Sequence, residues 1–277
     1  MRTTVRVAVS GRRDVSLRAV DDLDDAFILD TAGALPGARA TALVTRCVEQ
    51  GDTDPQTLTV GDRDALLLHL RRLSLGDAID CVLRCPDPGC GEPLEWQLHV
   101  SDLLVSRPEP PAGAAKHGTV TVDAGGTRFQ VTFRAPTVAD VDAASSLALE
   151  NVDRAALMLL ERCVIAAERD GRACAPADLP AAVRTAVDDA IAATDPQAEV
   201  QLEMRCPACD AGFTTLFDTA AFVLRELDQR ATRTLHDVHL LAQHYHWSEA
   251  DILRMPARRR ALYIDLVRQA QARRRTP

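Results

Sequence analysis

Twice along the chain, apolar and polar residues alternate immediately before a pair of cysteines. Ile79, Cys81 and Leu83 alternate with Asp80, Val82 and Arg84 ahead of Cys85, and Val200, Leu202 and Met204 alternate with Gln201, Glu203 and Arg205 ahead of Cys206. A period of two is the signature of a strand with one buried face. Counted back from Cys85 and Cys206, the two registers coincide. Each cysteine pair is followed by an apolar position (Leu94, Phe213) and a second short strand ending near an aspartate (Asp102, Asp218). The pattern predicts two similar β-hairpins, each with cysteines at its tip.

Elsewhere the periodicity is mostly helical. Residues 3 to 9 alternate and predict a strand before a Ser10-Gly11 turn, and the stretch from Ser16 to about Gly76 then reads as helix. Asp21, Asp22, Asp24 and Asp25 suit a helix N-terminus, where carboxylates meet the positive end of the dipole. Thr59 or a nearby Asp caps a Leu-rich, largely buried helix through Leu73. His69 on that helix reads as a packed or surface residue. The Pro-rich stretch from Arg107 to Gly113 predicts a stiff linker. A hairpin is expected over Thr119–Val122 and Arg128–Arg134 around Gly125-Gly126. Thr137 and Asp140 form a capping-box pattern for a helix running to about Ala167, and another helix follows Leu179-Pro180 to about Ala193. A long amphipathic helix is then expected to about His244, on the seam Leu224, Leu227, Ala231, Leu235, Val238, Ala242 and Tyr245. Ser248 and Asp251 cap a short helix, and a last one carries the seam Leu262, Ile264, Leu266 and Val267.

The fold class expected is α+β: a split zinc ribbon of two Cys knuckles, with an inserted β-hairpin-plus-helices subdomain and flanking amphipathic helices. Its parts are an N-terminal strand and helical region (1–76), a first ribbon hairpin (77–106), the inserted subdomain (107–198), a second hairpin (199–218) and C-terminal helices with a basic tail (219–277).

Cysteine usage supplies the candidate chemistry. Cys85, Cys90, Cys206 and Cys209 offer four sulfurs, the number a closed tetrahedral Zn2+ site needs, and such a site is structural because no position stays open for water. Two unrelated turns or a disulfide pair are the alternatives. Cys81 falls where the second hairpin has Leu202 and is expected to face a core. Cys47, Cys163 and Cys174 read as small buried hydrophobes.

Apolar residues at 47% can build a core, but with aromatics at 4% it must consist mainly of Leu, Val and Ala. The net charge of −8 argues against a general nucleic-acid binder. From Arg254 onward eight arginines face Asp265 alone, a net +7, so the preceding residues carry −15. That asymmetry points to a partner with a preference for one end. No membrane span or signal peptide is legible, and eight cysteines without a disulfide pattern suggest a reducing, cytoplasmic setting. No Walker loop, GxGxxG, HExxH or nucleophile elbow is present, so no enzyme and no small-molecule substrate are expected. His236 and His239 could begin a second metal site with Glu226 or Asp237, but histidines at a helix surface or core edge explain them as well. Arg258, Arg259, Arg260, Arg273, Arg274 and Arg275, with Tyr263 among them, leave open a zinc-ribbon regulator that touches nucleic acid through its C-terminal helix.

Leu58-Thr59-Val60-Gly61-Asp62-Arg63, Leu67-Leu68, Leu70-Arg71, Gly76-Asp77, Cys85-Pro86 and Cys90-Gly91-Glu92 together resemble the T4-type baseplate proteins, also described as baseplate hub assembly chaperones, of contractile phages and related injection particles. Cys206-Pro207-Ala208-Cys209, Phe217-Asp218, His239-Leu240-Leu241-Ala242 and Tyr245-His246-Trp247-Ser248-Glu249 extend the resemblance. One departure is the wider spacing of Cys85 and Cys90, where a CPxC turn is the family pattern. The resemblance implies assembly without catalysis, with a baseplate hub or tape-measure protein as partner. The partner surface expected is Phe222 to Arg275, with Tyr245, Trp247, Arg258, Arg259 and Tyr263 as contact residues.

Overall fold

The computed structural model describes residues 4–7, 15–49, 54–105 and 117–275. The Ser10-Gly11 turn and the Arg107–Gly113 linker therefore lie outside the described residues.

A hairpin of β1 (Thr4–Val7) and β2 (Val15–Arg18) opens the chain, followed by α1 (Asp22–Asp30), α2 (Pro36–Cys47), a 3-10 turn at Pro55–Thr57 and α3 (Val60–Leu75). Strands β3 (Ala78–Arg84) and β4 (Pro93–His99) form the first knuckle hairpin, and α4 (Val100–Leu103) closes the unit. The same order then recurs. Strands β5 (Gly118–Ala124) and β6 (Thr127–Phe133) lead to α5 (Val138–Ala148) and α6 (Val152–Cys163). A short hairpin of β7 (Val164–Arg169) and β8 (Arg172–Ala173) adds to β6, so the sheet order is β5-β6-β7-β8. A 3-10 turn at Pro176–Asp178, α7 (Ala181–Thr194), β9 (Val200–Arg205), β10 (Gly212–Phe217) and α8 (Thr219–Tyr245) complete the second copy. Among the described residues, the β7–β8 hairpin, α9 (Glu249–Arg254) and α10 (Ala257–Arg275) lack a counterpart.

The stretch read as an insertion thus repeats the region before the first knuckle, with the β7–β8 hairpin added. Side chains confirm the correspondence. In the first copy Asp24 is 0% exposed. It accepts from the Arg18 guanidinium, from Arg46 Nε at 3.1 Å and from the Asp21 amide at 2.9 Å. In the second, Asp140 accepts from Arg134, from Arg162 Nε at 2.8 Å and from the Thr137 amide at 2.9 Å. The second nitrogen of each leading arginine donates to the carbonyl of the trailing one at 2.9 Å, Arg18 to Arg46 and Arg134 to Arg162. A buried carboxylate is tolerated where hydrogen bonds and opposite charge replace its water. Each clasp locks the start of one helix to the end of the next.

Local departures from the sequence reading follow from the same duplication. The stretch from Ser16 begins as strand β2 and breaks into three helices. The helix expected to reach Ala167 stops at Cys163, because Val164–Arg169 pairs with β6 as a strand. Asn151 caps α6 and divides it from α5, whose own capping box at Thr137 and Asp140 is as expected.

Two cores result. The larger joins β1–β2, α1, α2 and α3 to Val223, Leu224, Leu227 and Ala231 of α8. The smaller belongs to the second copy and centres on Phe129, Val131, Phe133, Leu160 and Val183. The copies meet where the Gly61 amide donates to the Asp195 carboxylate at 2.9 Å. A Cβ on Gly61 would run into that carboxylate and stand 2.9 Å from the Ala198 nitrogen. In an open helical turn glycine to alanine gains about 1 kcal/mol. Here Gly61→Ala is expected to destabilise instead, by about 1–3 kcal/mol as overpacking does, read from urea unfolding midpoints.

Candidate metal centre and partner surface

Each knuckle is closed by backbone geometry before any ion is considered. The Cys85 amide donates to the Glu92 carbonyl at 2.9 Å, and the Cys206 amide donates to the Ala211 carbonyl at 2.9 Å. The preceding arginine staples each loop: Arg84 donates to the Gly91 carbonyl and Arg205 to the Asp210 carbonyl. Gly91 and Asp210 both hold φ of 61°, the left-handed region that turns the chain back. The wider first loop is absorbed locally. Asp87 accepts the Cys90 and Gly91 amides on its carbonyl and the Gly89 amide on its side chain, so Cys90 still arrives opposite Cys85.

The four sulfurs converge across the two copies. Cys85 lies 3.7 Å from Cys209 and Cys90 lies 3.8 Å from Cys206, with all four sulfurs within 4.8 Å of one another. Exchange of the copies maps one contact onto the other, a local two-fold arrangement. Four thiolates around zinc at ~2.3 Å stand ~3.8 Å apart in a tetrahedron, so two of the pairs already match such an ion and the rest lie within about 1 Å of that spacing. Burial raises the Cys206 thiol, but the Cys209 and Ala208 amides that donate to its sulfur win and draw it below its usual value. Cys85 and Cys209 are instead raised, against the backbone amides that donate to their sulfurs, by burial and by their neighbouring thiols, so all four become thiolates only where a cation is bound. None of the four is in a disulfide. Leu94, Trp96, Phe213 and Leu83 pack around the sulfurs, with Trp96 and Phe213 rings 6.3 Å apart.

Cys81 is placed as the hairpin alignment expects, whereas Cys174, read as a buried hydrophobe, is only half-buried. Cys81 packs on the larger core, while Cys47 and Cys163 are buried, their thiols pushed up by burial to about 12 and about 11. His69 is brought down to about 4 by burial and by Arg72, and it contacts that arginine. Among the described residues no group of three or more ligands forms around His236 and His239.

The candidate partner residues divide. Tyr245 and Trp247 stack at 4.6 Å, and Tyr263 meets both edge-on. These three half-buried rings close the corner between α8 and α10, where Val238, Leu241, Ile252, Ile264 and Val267 form a satellite core. Arg258 and Arg259 are exposed. Arg260, grouped in the sequence with the phosphate candidates, is buried and pairs with Asp22. The expected seams need correction as well. Leu235 is 46% exposed and Thr234 takes the buried place beside Asp25; Leu262 and Leu266 face outward while Ile264 and Val267 face in. The clasps at Asp24 and Asp140 escaped the sequence reading, although Arg-Cys-Val occurs in both copies, at residues 46–48 and 162–164.

No helix is long and apolar enough to cross a membrane among the described residues. No curated protein and no solved structure matches the chain. The family model described as T4 bacteriophage base plate protein matches residues 39–223, from α2 into the start of α8, and takes in both knuckles and the second clasp. By that match the chain belongs to the T4 bacteriophage base plate protein family.

Proposed function

We propose that this chain is a non-enzymatic assembly factor or structural component of a contractile-tail baseplate hub, pinned by a structural Zn2+ on Cys85, Cys90, Cys206 and Cys209, and that it binds helical tail proteins such as the tape measure. The observation that carries the proposal is the four-sulfur cluster inside the family-matched region. A closed thiolate site leaves no coordination position for substrate water, so its work is to hold two copies of one unit in a fixed relation.

The partner surface narrows from Phe222–Arg275 to its outer part. Val223, Leu224, Leu227 and Ala231 are spent on the core. Helix α10 presents Leu262 and Leu266, 59% and 53% exposed and one turn apart, beside exposed Arg258 and Arg259. An apolar pair flanked by cations suits the apolar stripe of an acidic amphipathic helix. Tyr245, Trp247 and Tyr263 set the angle at which α10 leaves α8 and anchor that face from beneath.

Truncation at Asp218 would remove core residues, so the informative variants keep the full chain. Leu262→Glu with Leu266→Glu is expected to reduce co-purification of the cognate hub or tape-measure protein at least tenfold at unchanged melting temperature. Arg258→Glu with Arg259→Glu should weaken it in a salt-dependent way. Undiminished recovery by both variants would remove α10 as the contact; retention of the wild type on immobilised nucleic acid, lost with the arginines, would favour the regulator reading.

A further inference from the structure

The duplication leaves one unmatched surface. In the first copy α8 lies across α1, α2 and α3. Glu226 of α8 takes both nitrogens of Arg71 at 2.9 Å, and Asp228 pairs with Arg39. Arg230 donates to the Val20 carbonyl and Thr234 to Asp25. The second copy has counterpart helices in α5, α6 and α7, but α6 and α7 stand further apart than α2 and α3, and there the corresponding face is, among the described residues, an open groove of about 760 Å³. Ala40, Leu67 and Arg71 are buried in the first copy; their counterparts Ala156, Asp188 and Ala192 are exposed in the second and line the groove. Leu157 and Ile191 form its half-buried floor.

We propose that the groove between α6 and α7 is a docking site for an amphipathic helix of a separate protein, with small apolar residues on its buried face and arginine or lysine along its flanks. The shape follows from the repeat: the counterpart helices α1, α2 and α3 take a helix across them, and the wider gap between α6 and α7 leaves room for one. The charge follows from the differences between the copies. Arg39 and Arg71, which receive the acids of α8, are replaced by Ala155 and Ala192. Asp153, Asp188, Asp195 and Glu199 line the second groove, with Arg184 the one basic residue of its lining among the described residues. A helix with the acids of α8 would face like charge there, whereas a basic one finds complement. The inference stands apart from the baseplate reading, since it uses only the two copies within this chain.

The test uses the full-length protein and two fluorescein-labelled peptides covering residues 220–238, one unaltered and one carrying E226R and D228R, followed by polarisation. Saturable binding of the charge-swapped peptide, at least tenfold tighter than the unaltered one, is expected. Asp188→Arg should reverse that preference, and Leu157→Glu should abolish binding of both. Asp188 is exposed, so its variant keeps the question answerable if Leu157→Glu fails to fold, as judged by circular dichroism. Absence of saturable binding by either peptide, or binding indifferent to Asp188→Arg, would overturn the proposal. So would concentration-dependent dimerisation in sedimentation that Asp188→Arg dissolves, which would make a second copy of this chain the occupant.

Discussion

Removing zinc with a chelator under reducing conditions, or replacing Cys206 with serine, is expected to lower the melting temperature by about 10 °C or more. The reasoning starts from how little else holds the knuckles. Each is a two-stranded hairpin, an element marginal on its own in water. The cluster around the sulfurs contributes only a handful of apolar side chains, among them Leu94, Trp96 and Phe213. Structural zinc sites contribute free energy directly to folding, and in a chain of this size a change of several kcal/mol moves the midpoint by roughly that number of degrees several times over. Metal analysis should find one zinc per chain in the wild type and none in the variant. Cys81→Ser supplies the control, because its sulfur packs on the larger core and not at the cluster. It should keep the metal and shift the melt only slightly. A metal-free wild-type protein whose melt ignores the chelator would remove the zinc site.

The knuckles were legible because their information is local. Two strands with alternating faces, two arginines and two cysteine turns coincide in register, and the structure places all four sulfurs together. The duplication around them was not legible, although it is as regular. Arg18, Asp24, Arg46 and Cys47 recur as Arg134, Asp140, Arg162 and Cys163 at a constant separation of 116 residues. Beyond the clasps the match shifts by five positions, because β7–β8 lengthens the second copy before α7. A single unbroken repeat search loses its register there. Between these anchors a core position need only be apolar: Leu58 and Leu179 keep the residue, while Leu66 becomes Val187. The seam errors have a different cause. Periodicity shows that Leu262, Ile264, Leu266 and Val267 share a helix, but not which side meets the body, and the ion pair of Arg260 with Asp22 decides that. The open groove could not be seen at all without α8 lying against the equivalent face of the first copy.

The clasps carry the second large expectation. Asp24→Asn and Asp140→Asn should each destabilise by about 3–5 kcal/mol, the range for breaking a buried ion pair from one side, with Asp24 the worse. Arg18 is 15% exposed against 31% for Arg134, so the cation stranded in the first copy is the less hydrated. The acid side of the stability profile follows from the same contacts. Burial alone would raise both carboxyls. At Asp24 the Arg18 guanidinium, the Asp21 amide and Arg46 overcome it and lower the group. At Asp140, Arg134, Thr137 and Arg162 hold it well below the usual carboxylate range. A group depressed on folding contributes stability that is full above its unfolded value of ~3.9 and is lost as pH falls through and below it. Asp64 works the other way. Burial lifts it to about 6 against the pull of Arg63, so it takes up a proton, and adds stability, as pH falls from there towards ~4. His69, brought down to about 4, works against it over the same window, because the unfolded imidazole takes up a proton that the native one refuses. Stability should therefore stay nearly level from pH ~6 to ~4 and fall steeply below ~4. In Asp140→Asn that acid limb should be visibly shallower in denaturation midpoints taken across the series. An acid limb as steep as the wild type's would mean that the clasp's charge contributes nothing on folding.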